Sequence, residues 1–203
     1  MLHKAHGVDK FIIVGGYGFD ELSNIIDSEF INFRERIILV NNKKYEEYGS
    51  GFSLYKGLER ATALDFDDII FAEGDLYFDD GSFEEIESTS NNVLTTCNEP
   101  ISAEKAVALY TDENGFVNYI YDTEHGSFEI DKPFVGIFNS GQVWKFYDAN
   151  RVRECFDKLQ ENEWQGTNLA YIQKYFGDLS TEEYRIVNFK EWVNCNTIDD
   201  WKG

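Results

Sequence analysis

The chain has 203 residues and a formal net charge of -20, from 18 Lys and Arg against 38 Asp and Glu. That charge excludes an unassisted nucleic-acid binder, which needs a basic face for phosphates, and docking on an anionic membrane. With 42% apolar residues, 16% aromatics and two prolines, the composition is that of a folded protein rather than a disordered one.

The length is that of a single domain over residues 1–203, able to hide roughly 70% of its unfolded surface. Cys97, Cys155 and Cys195 are an odd, widely spaced trio. They make no disulfide framework and no zinc pair. The start, MLHKAHGVDK, has no apolar signal core, and no run reaches membrane-spanning length. A reducing cytoplasm is the expected compartment.

In chain order, Phe11 to Val14 is a continuous apolar run before Gly15-Gly16 and reads as a buried strand. Phe19 to Asp27 carries Leu22, Ile25 and Ile26 at helical spacing. Arg36 to Val40 is a second strand, stopped by Asn41-Asn42. Ser50 to Ala63 is a helix with Leu54, Leu58 and Ala61 on one side. Asp68 to Ala72 is a third strand, and Phe83 to Glu87 a short helix. This order predicts a parallel sheet flanked by helices. Ala106 to Tyr110 and Phe116 to Tyr121 flank an Asn114-Gly115 turn, the mark of an inserted β-hairpin. Phe134 to Phe138 is another apolar run. Helices are expected over Gln142 to Gln160 and Thr167 to Phe176. Late strands fall at Tyr184 to Phe189 and Trp192 to Cys195, and a last helical turn at Thr197 to Trp201. The expected class is α/β: a mixed, mostly parallel sheet with flanking helices and one hairpin.

Three segments carry candidate chemistry. Glu73-Gly74-Asp75 follows the third strand, and open α/β sheets bind ligands beyond the carboxyl ends of their strands. A carboxylate there suits magnesium, which takes one or two carboxylates plus substrate phosphates; the same residues also read as a solvated turn. Asn41 to Leu54 runs from a strand end into a helix. Gly49 and Gly51 admit close backbone approach, Ser50 caps, and exposed helix-start N–H groups favour anions. A plain capped helix fits equally. Asn194 and Asn196 share a face if the late strand continues, and two amide oxygens can complete a metal's oxygen shell. Asn196 or Thr197 can instead cap the last helix. Gly15-Gly16-Tyr17-Gly18 lacks the Lys and Ser/Thr of a phosphate loop and reads as a turn. Trp144, Trp164, Tyr147 and Tyr171 read as packing, although an aromatic cluster in an acidic pocket can hold a quaternary ammonium.

Taken in order, these segments resemble the nucleotidyltransferases of GT-A-like, Rossmann-like fold, nearest to the small cytidylyltransferases that activate phosphocholine or aminoethylphosphonate and to sugar-phosphate nucleotidyltransferases. The resemblance rests on Asn41, Tyr45, Gly49 to Leu54, Asp75 and Trp192 to Asp200, and spans nearly the whole chain. It implies transfer of a nucleotidyl group from an NTP, CTP favoured, to a phosphomonoester or sugar phosphate, with release of pyrophosphate. It implies Mg2+ on Asp75, Asn194 and Asn196. Nucleotide contacts are implied at Asn41, Tyr45, Gly49, Ser50, Ser53 and Glu73, with Asp75 and Lys132 acting on the reacting phosphates. Two departures stand out. The family's opening strand and its loop of the form Ala-Gly-x-Gly-x-Arg have no counterpart, so the chain reads as short of one strand–helix unit, roughly 30 residues. That strand would be central, leaving its neighbours with unpaired edges for another strand of this chain, a second copy or a partner chain to fill. Asn194 and Asn196 replace acidic residues, as in molybdenum-cofactor guanylyltransferases. The departures also support a degenerate or split member acting as a binding or assembly module. A metal-dependent glycosyltransferase is a further alternative.

Overall fold

A computed structural model describes residues 5–102, 107–121, 128–130, 132–197 and 200. In chain order the first half holds β1 (Phe11–Gly15), α1 (Phe19–Glu29), a 3-10 turn (Ile31–Arg36), β2 (Ile37–Asn41), α2 (Ser50–Thr62), β3 (Ile69–Ala72), β4 (Leu76–Phe78), α3 (Asp80–Ser88) and β5 (Asn92–Cys97). The second half holds β6 (Ala108–Asp112), β7 (Val117–Tyr119), β8 (Phe134–Phe146), α4 (Ala149–Asp157), α5 (Glu161–Gln165), α6 (Leu169–Phe176), β9 (Tyr184–Asn188) and β10 (Trp192–Asn194). The backbone divides into two compact units, Met1–Phe66 with Asn150–Ile172, and Asp67–Ala149 with Gln173–Gly203.

In the first unit β1 and β2 pair in parallel, from Phe11 opposite Ile37 to Gly15 opposite Asn41. Gly18 adopts φ 66 ahead of α1, a conformation that costs glycine nothing. Helix α2 buries Leu54, Leu58 and Ala61, the i, i+4, i+7 stripe its sequence predicts. Tyr48, Phe52, Tyr55, Phe156 and Trp164 form an aromatic cluster with ring centroids 5.0–6.0 Å apart.

In the second unit β8 is the axis. It pairs antiparallel with β3, β5 and β6, while β5 pairs in parallel with β9 and β6 with β7 as a hairpin. The mixed α/β class and the inserted hairpin match expectation. Asp112 Oδ1 accepts from the N–H groups of Asn114 and Phe116, and Gly115 takes φ 82. The balance of pairing differs from expectation. Among the described pairs only β1·β2 and β5·β9 are parallel, and β3 meets antiparallel β8. The helix expected from Gln142 begins only at Ala149, because Val143 to Phe146 continue β8. Val143, Trp144 and Phe146 are wholly buried, and β-branched and aromatic residues fit a covered sheet better than a helix. Lys145 is also buried, held by Asp68 Oδ2 at 3.1 Å and by the carbonyl of Glu87 at 2.8 Å. Strand β5 escaped sequence reading because Thr95 and Thr96 sit inside it. Thr95 Oγ1 donates to Val143 O at 2.7 Å and accepts its N–H at 3.1 Å, so a polar side chain is buried without penalty.

Candidate functional site

The two units each bring some of the expected residues together. In the first, Asn41 at the end of β2 and Tyr45 in the following loop line an open cavity of about 400 Å³ with Gly16, Phe19, Asp20 and Lys43. It lies at the carboxyl ends of the parallel strands, as the sheet topology requires. Tyr45 packs edge-on to Tyr17, centroids 6.5 Å apart. A Cβ on Gly16 would come within 2.5 Å of Tyr45 Cβ, so glycine there admits the tyrosine. Partial burial and the neighbouring Glu46 push the Tyr45 phenol upward from its ordinary value. Asn42, beside Asn41, is buried: its Nδ2 donates to Ser53 Oγ at 3.0 Å and its Oδ1 accepts from Lys44 N–H at 2.9 Å. Ser53 therefore holds the loop.

The start of α2 differs from expectation. The N–H of Gly49 donates to Gln165 O at 2.9 Å and that of Gly51 to Gly166 O at 3.0 Å. A Cβ on Gly49 would lie 2.3 Å from Gly166 O. Ser50 Oγ accepts from Asn168 N–H at 3.2 Å. Close approach is what these glycines provide, but the approaching group is the chain after α5. The N–H groups of Gly49 and Gly51 are already engaged.

In the second unit Asp75 lies in the exposed turn between β3 and β4. Its carbonyl accepts the N–H of Cys195 at 2.7 Å. The β4·β10 ladder sets Asn194 opposite Leu76, so Asp75 and Asn194 stand one rung apart on paired chain segments. Asn194 Oδ1 is buried without a partner among the described residues, whereas Asn196 is exposed. Thr197 N–H and Oγ1 donate to Asp200 Oδ2 at 2.7 and 2.9 Å, the geometry of a turn start. The rest of that expected turn, Ile198, Asp199 and Trp201, lies outside the described residues. Lys132 is exposed just before β8, and Glu73 is half-buried with its N–H 3.4 Å from Gln142 O.

Two positioning features escaped the sequence. The first is a bulge in β8, where Gln142 takes φ 57 and the register with β5 shifts between Leu94 and Thr96. Bulges concentrate beside functional sites because they re-aim the chain. Here the carbonyl of Gly141 accepts Trp192 Nε1–H at 2.9 Å and that of Gln142 accepts Glu73 N–H. One irregularity thus anchors both the loop after β3 and the strand carrying Asn194. The second is Asp79. It caps α3, accepting Ser82 N–H at 2.9 Å and Ser82 Oγ–H at 2.8 Å, and also accepts the N–H groups of Lys190 and Glu191 ahead of β10. Burial pushes its carboxyl upward, but these four bonds outweigh it and hold the group below the usual carboxylate range. The cap signal, Asp79 three residues before Ser82, was present in the sequence.

Asp75 carries an anionic oxygen and Asn194 a buried amide oxygen without a partner among the described residues, the donor types that magnesium takes. Among the described residues no three His, Cys, Asp or Glu side chains gather as a closed metal cage. Those residues also contain no helix long and apolar enough to cross a membrane.

Solved structures place the fold. The chain is similar to the inositol-1-phosphate CTP transferase from T. maritima, at TM-score 0.59 and 16% identity, over 96% of this chain and 73% of that one. It is similar to the CTP:phosphocholine cytidylyltransferase from Streptococcus pneumoniae, at TM-score 0.60 and 15% identity, over 99% and 79%. A nucleoside-diphosphate-sugar pyrophosphorylase from Vibrio cholerae matches at TM-score 0.60 and 13% identity, over 99% and 82%. The molecule thus has a nucleotidyltransferase fold. Within it, the chain belongs to the family described as Domain of unknown function (DUF6564), whose model matches residues 1–203. No curated protein matches the sequence.

Proposed function

We propose that the protein transfers a nucleotidyl group from an NTP, CTP favoured, to a small phosphomonoester or sugar phosphate, releasing pyrophosphate. What supports this reading is Asp75 in the turn after β3 and the Asn194 Oδ1 buried without a partner among the described residues, in a chain of nucleotidyltransferase fold. The acceptor's phosphate oxygen attacks the α-phosphorus of the NTP, and the bond to the β-phosphate bridging oxygen breaks. Such catalysis is mostly positioning and charge neutralisation. Asp75, with Asn194 and Asn196, would hold Mg2+, which when bound neutralises phosphate charge. Asn41 offers an amide for the base or ribose, and Tyr45 a phenol at the rim of the same cavity. Lys132 is assigned to the acceptor phosphate on its charge and exposure.

The test is pyrophosphate release from CTP and Mg2+ with a panel of phosphomonoesters. Asp75→Ala should lower it by about a thousandfold with the circular dichroism spectrum unchanged; full turnover in that variant removes Asp75 from the reaction. A second reading, a non-catalytic binding or assembly module, is favoured by the engaged Gly49 and Gly51 amides and by Asp20 and Glu21, which outnumber Lys43 in the lining of the cavity beside Asn41. Calorimetry decides between them: no heat with any NTP and Mg2+ selects the module. Hydrolysis of a nucleotide-sugar without pyrophosphate release would select a glycosyltransferase.

A further inference from the structure

Strand edges are templates for adding another chain, and folded proteins ordinarily block them. The hairpin edge of this protein shows the ordinary device. Gln173 closes β7, its Oε1 accepting Tyr119 N–H at 2.6 Å and its Nε2 donating to Val117 O at 3.0 Å. Strand β9 carries Arg185 and is exposed at three of its five residues.

Strand β3 has no such device. Ile69-Ile70-Phe71-Ala72 pairs with β8 on one edge, and among the described residues nothing pairs with the other. Both faces of the strand are in use. Phe71 stacks on Trp144 with centroids 5.3 Å apart, and Ile70 and Ala72 pack on the core of Ile86, Val93, Val143, Val187 and Phe189. Yet all four residues remain half-exposed. An uninterrupted apolar run is the composition of a strand flanked on both sides.

We propose that this edge of β3 is a docking site for an extended segment of a separate polypeptide, added as a further strand, with apolar β-formers bracketed by Lys or Arg. Backbone pairing along an open edge supplies the affinity in this mode of recognition, and alternate side chains the specificity. The bracketing charges follow from the residues flanking β3. Asp67 precedes it and Asp75 follows it, both exposed, while Asp68 is already paired with Lys145. A second copy of the chain is the wrong occupant, because edge-to-edge pairing would set these carboxylates against their own kind on two bodies each carrying -20. The proposal does not depend on the nucleotidyl-transfer reading.

The probe is a synthetic peptide of sequence Lys-Lys-Val-Ile-Val-Ile-Lys-Lys added to the full chain, read by calorimetry and by hydrogen–deuterium exchange. The expected result is saturable binding with slowed exchange at residues 69–72. N-methylation of alternate peptide amides should weaken it by about tenfold or more, since it removes the edge hydrogen bonds. Replacing the lysines by glutamates should weaken it similarly. Three results would overturn the proposal: no slowing at 69–72 with saturating peptide, equal binding of the N-methylated peptide, or slow exchange there in the free chain together with a dimer in sedimentation.

Discussion

The first unit's β1 is an apolar run, whereas the buried end of the second unit's β8 holds Asn139, Ser140, Gln142 and Lys145 among its residues. Phe11 to Gly15 are all half-buried, with β2 as the one strand neighbour among the described residues. The last eight residues of β8 are all buried, including Lys145. The difference is the number of strands alongside. A strand gains its full burial from neighbours on both edges and layers on both faces, not from its own hydrophobicity. β1 and β3 each show one strand neighbour among the described residues.

That contrast can be broken by mutation. The largest stability effect should come from Trp144→Ala in β8, where the ring is wholly buried and donates to Tyr119 Oη at 2.7 Å. A loss of about 4 kcal/mol is expected in urea unfolding. Asp68→Asn should cost about 2 kcal/mol, because it removes the charged partner of buried Lys145; a smaller loss would show that Glu87 O holds the ammonium by itself. Asp79→Ala should cost about 1–2 kcal/mol by uncapping α3. Its pH signature has a definite sign. The folded carboxyl lies below its ordinary value, so its stabilisation is present above about pH 4 and is lost as pH falls through the folded value. The variant's stability should therefore fall less steeply in acid than that of the parent chain. The smallest effect is expected at Ile12→Ala in half-buried β1, about 1 kcal/mol. Equal losses for Ile12→Ala and Trp144→Ala would refute the contrast between the two strands.

Much of the fold was legible. β1, α1, β2, α2 and β3 fall within a few residues of their expected limits, because each has a clean period bounded by Gly, Asn or Asp. The hairpin followed from Asn114-Gly115. The second half of β8 was misread as helix, since periodicity alone does not separate a short buried strand from a buried helix. Strands β4 and β5 were missed: Leu76–Phe78 is too short for a period, and Thr95 and Thr96 break the apolar run of β5. The places of Asn41 after β2 and of Asp75 after β3 were legible. Asp79 and the Gln142 bulge were not, because their roles depend on contacts with Lys190, Glu191, Trp192 and Glu73.

The sequence by itself determined the types of β1, α1, β2, α2 and β3, the hairpin turn and the acidic character, all of which follow from local period, turn chemistry and charge. Tertiary structure alone decided that β3 runs antiparallel to β8, that Gly49 and Gly51 receive the carbonyls of Gln165 and Gly166, and that Asn194 Oδ1 is buried without a partner among the described residues. The physical reason is range. Period and turn signals act over a few residues, whereas which strand lies beside which, and which polar atom loses its water, are settled by segments far apart in the chain.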